Sequence, residues 1–153
     1  PNVIRSLLLA EGALEKHNLQ LQDKYRRVAA HEIRYEECAA EDCTVLAVAY
    51  GTCARIVKGA LLRARERGLR VGLLRPITLW PFPTAAIRQR LATARAVLVV
   101  EMSAGQMLED VELAVAGRVP VRFHGRMGGG VPEEDDILQA LMELAAPNAG
   151  DRA

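Results

Sequence analysis

From residue 44 onward the chain alternates short apolar runs with amphipathic stretches, and this alternation restricts the fold more than any other feature. Thr44-Val45-Leu46-Ala47-Val48-Ala49-Tyr50 is almost unbroken apolar sequence. A strand reads this way when helices cover both faces of its sheet. After the turn at Gly51-Thr52, residues 54–67 put Ile56, Val57, Ala60, Leu61 and Ala64 on one face and Arg or Lys on the other. Gly68 stops that helix. Residues 69–74 make a second strand, and a loop rich in proline follows. Pro83 suits the first turn of a helix running to about Ala92. Residues 96–100 form a third strand that ends at Glu101, and residues 106–116 form another helix closed by Gly117. Residues 119–123 are a fourth strand. Pro120 has no N–H for a ladder, so this strand belongs at or near an edge. Pro132 and the acids Glu133, Glu134, Asp135 and Asp136 suit a helix N-terminus, and Ile137, Leu138, Leu141, Met142 and Leu144 give that helix its apolar face. Strand–helix alternation of this kind predicts an α/β fold, a mainly parallel sheet with helices on both faces and right-handed crossovers.

Residues 3 to about 37 have a different character, with no proline and a single glycine, Gly12. Good helix formers dominate there, and Leu7, Leu14, Leu21, Val28 and Tyr35 recur every seven residues. The companion column holds His17, Lys24 and His31, so the apolar stripe is narrow. The expectation is a helical connector over residues 1–40, with Gly12 as its one candidate break. Unbroken, it would reach about 50 Å at 1.5 Å per residue. A lone helix cannot hide such a column and wants a partner surface. The α/β domain is expected over residues 44–146, with a disordered tail over 147–153. The chain starts at Pro1 rather than Met and shows no signal-peptide pattern, as expected of a piece of something longer.

The composition removes several classes of function. Half of the residues are hydrophobic but only 4% are aromatic, so aliphatic side chains must fill the core. Twenty basic and 19 acidic residues leave a net charge of +1, which gives no reason to propose nucleic acid or an anionic membrane as partner. No apolar run approaches the roughly 20 residues needed to span a bilayer. Cys38, Cys43 and Cys53 match neither C-x-x-C nor the common iron–sulfur spacings, and read as reduced thiols of a cytoplasmic protein.

In an open parallel sheet, ligands gather beyond the C-terminal ends of the strands. The first such loop, Tyr50-Gly51-Thr52-Cys53, could receive a phosphate on a helix N-terminus, but it is not G-x-G-x-x-G and reads as a plain strand-to-helix turn. The helix dipole there could lower the Cys53 pKa. The second loop, Arg75 to Pro83, contains the only Trp, Trp80, together with Phe82 and three prolines. Stiff segments with Arg and aromatics suit interface centres. Two readings stay open: these rings face a partner, or they fold back over the helix they precede. At the third loop, Glu101 has no His, Lys or carboxylate partner at a fixed spacing and reads as a surface or interface carboxylate, while Gln106 caps a helix or crosses an interface. The fourth holds His124 and Gly128-Gly129-Gly130, a mobile connector or close backbone contact rather than an anion nest, since four acids follow. Arg75, Trp80, Phe82, Glu101 and Gln106 are therefore the candidate interface residues. No catalytic, cofactor-binding or metal-binding residue is assigned.

Taken together these loops resemble one family. Ala49-Tyr50-Gly51-Thr52 with Ala54-Arg55, then Gly72-Leu73-Leu74-Arg75-Pro76-Ile77-Thr78-Leu79-Trp80-Pro81-Phe82-Pro83, then Val100-Glu101-Met102 with Gly105-Gln106-Met107 and Glu109-Asp110-Val111, then Gly125-Arg126 with Gly128-Gly129 and Pro132, resemble the C-terminal domain of 2-oxoacid:ferredoxin oxidoreductase alpha subunits. The branch is that of 2-oxoisovalerate (3-methyl-2-oxobutanoate) or 2-oxoglutarate. The resemblance implies a three-layer sandwich of the transketolase C-terminal-domain type. It also implies an intact complex that decarboxylates a 2-oxoacid with thiamine diphosphate and Mg, passes electrons through a 4Fe-4S cluster to ferredoxin and releases an acyl-CoA. Thiamine-binding and iron–sulfur subunits would be the partners, and this domain would hold subunits together. No thiamine diphosphate signature, no Gly-Asp-Gly run and no cluster-spaced cysteines occur in the chain, so the fragment is expected to bind none of these cofactors alone. The alternatives are a free-standing nucleotide- or phosphate-binding regulatory module using the Gly51-Thr52 turn, and the equivalent domain of a dehydrogenase E1 beta chain or transketolase.

Overall fold

The computed structural model describes residue 3 and residues 7–146, so the tail expected to be disordered lies outside the described residues. In chain order the elements are α1 (Ala13–His31), β1 (Tyr35–Cys38), β2 (Val45–Ala49), α2 (Gly51–Glu66), β3 (Val71–Pro76), α3 (Thr84–Arg90), β4 (Ala96–Glu101), α4 (Gln106–Val115), β5 (Val121–Gly125) and α5 (Glu134–Ala145). One five-stranded sheet has the order β1-β3-β2-β4-β5. β2, β3, β4 and β5 run parallel, and β1 is antiparallel to β3. The Pro120 argument holds, because β5 is an edge strand. The expected α/β sandwich with a mainly parallel sheet is what forms.

The apolar runs become strands because both of their faces are covered. All five residues of β2 and all six of β4 are buried. On one face Val45, Ala47, Ala49, Leu98 and Val100 meet α2 and α5 through Val57, Leu61, Ile137 and Leu141. On the other, Leu46, Val48, Val97 and Val99 meet α3 and α4 through Ile87, Met107, Val111 and Val115. Each such aliphatic side chain contributes about 1.5–3 kcal/mol on full burial. Only α1 stands apart, with no buried residue.

The expected connector over residues 1–40 differs in two ways. The helix begins after Gly12, which is left-handed at φ 70°, and it ends at His31. Tyr35–Cys38 is a strand of the sheet, so the seven-residue column does not continue to Tyr35 on a helix. Pairing with β3 decides this, since Glu36 and Glu37 are compatible with either conformation locally. The strand is then fastened by side chains. Arg90 donates from Nε and Nη2 to the two carboxylate oxygens of Glu37 at 2.8 and 2.6 Å, tying β1 to α3 with a forked pair. Arg65 of α2 donates to the Ala39 and Val71 carbonyls and to Asp42, closing the turn after β1.

Gly72 of β3 is needed for close approach rather than for conformational freedom. A Cβ there would lie 2.6 Å from the Ala40 Cα and 2.8 Å from the Ala39 carbonyl oxygen. Both neighbours are backbone, so neither can swing aside. Gly72→Ala is expected to lower stability by about 3 kcal/mol, the upper part of the overpacking range. Urea denaturation followed by far-UV circular dichroism checks this, and an unchanged midpoint would refute the close approach.

Candidate functional site

The strand order places the topological switch between β2 and β4, because the chain steps from β2 to β3 on one side and then to β4 on the other. The crevice beyond these strand ends is where a free-standing α/β enzyme would hold its ligand. Here Glu101 occupies it. Its side chain is completely buried. One carboxylate oxygen accepts from the Ser103 hydroxyl at 2.8 Å and the Met107 N–H at 3.0 Å, and the other accepts from the Leu108 N–H at 3.0 Å. These two N–H groups belong to the first turn of α4, whose N-cap is Gly105 and has no side chain to offer. Glu101 therefore caps α4 from the preceding strand end and places a negative charge at the positive end of the helix. The reading of Glu101 as a surface carboxylate is corrected: its partners are its own chain's donors.

Tyr50 and Cys53 lie at the end of β2 and the start of α2. Burial, and then the nearby Glu101 charge, push the Cys53 thiol and the Tyr50 hydroxyl upward from their ordinary values. The expectation of a Cys53 pKa lowered by the helix dipole is thus reversed. α2 starts directly at Gly51, with φ 56°, and Tyr50 gives it no side-chain cap. No observation at this turn supports the phosphate-binding module.

The second loop is held from below and open above. The N–H groups of Ile77 and Thr78 donate to the Arg34 carbonyl at 2.9 and 3.1 Å. The Thr78 hydroxyl accepts from the Arg34 N–H and donates to the Pro81 carbonyl, both at 3.0 Å. This anchoring separates the two rings that the sequence left together. Phe82 is half-buried against the α3–α4 side of the core. Trp80 is 60% exposed and meets only Tyr25 of α1 ring to ring, edge-on at 5.7 Å. Ile33, Tyr35, Ile77 and Leu79 are also exposed around it. So the fold-back reading holds for Phe82, and Trp80 faces solvent. Gln106 is exposed in the first turn of α4. Arg75 is half-buried and donates from Nη1 to Glu36 at 2.8 Å, while its buried Nε has no hydrogen-bond partner among the described residues. The structure does not bring these candidates into one cluster.

The three cysteines do not fit an iron–sulfur cluster. Cys38 and Cys53 pack on the α2–α5 side of the sheet and Cys43 on the other. Burial drives the Cys43 thiol up to about 11, away from the thiolate that a cluster iron needs. Among the described residues, no group of three or more His, Cys, Asp or Glu is placed to hold a metal ion.

Sequence reasoning missed one feature, a groove of about 250 Å3 between α2 and the outer strands. Arg55 and Lys58 line one wall, and Leu73, Arg75, Glu36 and Cys38 the other. Its signal was the Arg/Lys face of the helix over residues 54–67, which reads as a solvated face until β1 is known to lie beside it.

Residues 43–137 match the family model described as pyruvate:ferredoxin oxidoreductase core domain II. The ketoisovalerate oxidoreductase subunit VorB of Methanothermobacter marburgensis is 44% identical over 94% of this chain and 41% of its own length. The VorB of Methanothermobacter thermautotrophicus is 41% identical over 97% of this chain and 42% of its own. The 2-oxoglutarate synthase subunit KorA of M. marburgensis is 35% identical over 68% of this chain and 28% of its own. The chain thus spans about two fifths of the length of the VorB relatives. Among solved structures, a 2-oxoglutarate:ferredoxin oxidoreductase from Magnetococcus marinus, with 2-oxoglutarate, coenzyme A and succinyl-CoA bound, superposes with a TM-score of 0.76 over 91% of this chain and 24% of that one, at 21% identity. An inactive beta4 tetramer of a split-gene transketolase gives 0.61 over 72% of this chain and 41% of that one, at 15% identity. These last two likenesses bear on the fold, which is the expected transketolase C-terminal-like one.

Two measurements test the site. Glu101→Gln leaves an amide donor facing N–H donors and is expected to lower stability by about 2–4 kcal/mol, with α4 first to lose amide-exchange protection. Loss confined to a surface contact, with α4 protection intact, would contradict the cap. With a thiol reagent at pH 8, half-buried Cys38 is expected to react well before Cys43 and Cys53 in the native chain. Fast labelling of Cys43 would contradict its burial.

Proposed function

From membership in the pyruvate:ferredoxin oxidoreductase core domain II family, to which this chain belongs, we propose that it is the subunit-assembly domain of a thiamine-dependent 2-oxoacid:ferredoxin oxidoreductase. The substrate is a branched-chain 2-oxoacid such as 2-oxoisovalerate, or 2-oxoglutarate, in keeping with the names of the VorB and KorA relatives. The whole complex oxidatively decarboxylates that acid to an acyl-CoA and reduces ferredoxin, with thiamine diphosphate, Mg and a 4Fe-4S cluster supplied by other domains and subunits. β1 and residues 44–146 form the assembly domain, α1 serves as its connector, and the complex works in the cytoplasm. No helix among the described residues is long and apolar enough to cross a membrane.

One observation carries the assembly role. The crevice where this sheet type would hold a ligand is filled by Glu101 and its donors, while an aromatic and aliphatic surface around Trp80 stands open. Trp80, Tyr25, Leu79 and Ile77 are large side chains on an anchored loop and an unburied helix, the features of an interface centre. Arg75 and the exposed edge of Phe82 would flank that contact, and Gln106 would offer a separate one at the start of α4. Glu101 would act indirectly, by fixing the loop that leads to Gln106.

Trp80→Ala in the full-length subunit is expected to weaken its association with the partner subunit about tenfold or more. The melting temperature of the separate subunit should shift by less than about 2 °C, since Trp80 lies outside the core. Analytical ultracentrifugation and calorimetry read the two effects. Loss of folding without a separate assembly defect would refute the proposal.

A further inference from the structure

The groove beside α2 exists because the sheet is wider there than its helices. α2 and α5 cover β2, β3 and β4 on this face, and β1 extends past them. Leu73 and Ala54 lie at its base and are almost fully buried, and Cys38 is half-buried beside them. Its carboxylates are already engaged. Glu36 accepts from Arg75 at 2.8 Å, and Glu37 accepts from Arg90 on the other face of the sheet. Arg55 and Lys58, one helical turn apart on the α2 wall, are exposed and have no ion-pair or hydrogen-bond partner among the described residues. The groove therefore offers unmatched positive charge beside the accessible margin of β1.

We infer that this groove docks an acidic polypeptide segment of another subunit, which runs along the half-exposed β1 margin at Cys38 and sets Asp or Glu side chains on Arg55 and Lys58. This inference rests on the subunit-contact reading above and extends it to a second surface. The charges choose the occupant. A second copy's α1 is a poor match, since it carries Lys16, Lys24, Arg26 and Arg27 against only Glu15 and Asp23. A second copy's acidic α5 start is already committed in part, because Arg63 takes Glu134 and Asp135. Position favours a different subunit: Arg75 closes the groove, and the Ile77–Trp80 turn that carries the proposed contact follows Arg75 along the chain.

A zero-length carbodiimide crosslinker joins a lysine amine only to a carboxylate in direct contact. Applied to the assembled complex, it should link Lys58 to an Asp or Glu of a different subunit, identified by mass spectrometry. In the same complex Lys58 should be protected from an amine-acetylating reagent at least tenfold relative to the free subunit. The double substitution Arg55→Glu with Lys58→Glu, on exposed helix positions, should leave the melting curve of the free subunit unchanged. It should weaken association about tenfold at about 0.1 M salt, through charge repulsion. Crosslinks confined to this subunit or to a second copy of it would overturn the inference. So would a fully reactive Lys58 in the complex, or protection of Lys58 in the free subunit by low-millimolar inorganic phosphate. If Trp80→Ala disrupts assembly while Lys58 stays reactive in the parent complex, the groove inference falls and the subunit-contact reading stands. If neither surface affects assembly, both fall.

Discussion

A parallel sheet has to be covered on both faces, and this domain covers five strands with two helices a side. A helix is about 10 Å across and strands are about 4.8 Å apart, so one helix shields about two strands. Two helices leave roughly one strand's width bare. On the α3–α4 face that margin is closed by the forked Arg90–Glu37 pair and by Ala40 and Cys43 from the loop after β1. On the α2–α5 face it stays open over β1, which is the groove. The same arithmetic explains Gly72, where the covering loop comes so close that β3 has no room for a side chain.

The interior of the sheet shows the opposite situation, a site filled beyond use. Withdrawing a carboxylate from water costs several kcal/mol unless donors replace its hydration. Glu101 has three: two helix N–H groups that would otherwise lack partners, and the Ser103 hydroxyl. The arrangement satisfies the carboxylate and the helix terminus together, and leaves neither for a ligand. Cys53 and Tyr50 then lie in a dry, negative neighbourhood where their protonated forms are favoured.

What could be read from the sequence follows from which interactions are local. β2 and β4 were legible because burial on both faces writes itself as a continuous apolar run. The edge position of β5 was legible from Pro120 alone, since a missing N–H is a local fact. β1 was not, because Tyr35-Glu36-Glu37-Cys38 becomes a strand only through pairing with β3, some 40 residues away by register. Glu101 was placed at the right strand end but on the wrong side of the surface, because its partners depend on the direction in which α4 leaves Gly105. Trp80 and Phe82 lie two residues apart in one loop, and the loop is anchored by hydrogen bonds between Thr78 and Arg34, 44 residues apart, which no local pattern shows. The family resemblance supplied the three-layer architecture as a whole, which periodicity could only suggest.

The open features share one margin of the molecule. β3 carries Leu73 and Arg75 into the groove and then runs through Pro76 into the Ile77–Trp80 turn, while β1 is preceded by Ile33 and by α1, whose Tyr25 meets Trp80. The opposite margin is different in kind: β5 is short, begins after Pro120, and is braced to α5 through Arg122 and Glu143. Pro120 and the charged Arg122 make that edge a poor template for further strands. An asymmetry of this sort follows from two local causes, a missing helix over β1 and an anchored loop after β3. It leaves one side of the sandwich with exposed aromatic and aliphatic side chains. Arg75 stands at the junction, with one nitrogen on Glu36 and a buried Nε left unpaired. A partner engaging both the groove and the Trp80 surface would reorder that arginine, so the two contacts would be felt by each other through a single side chain.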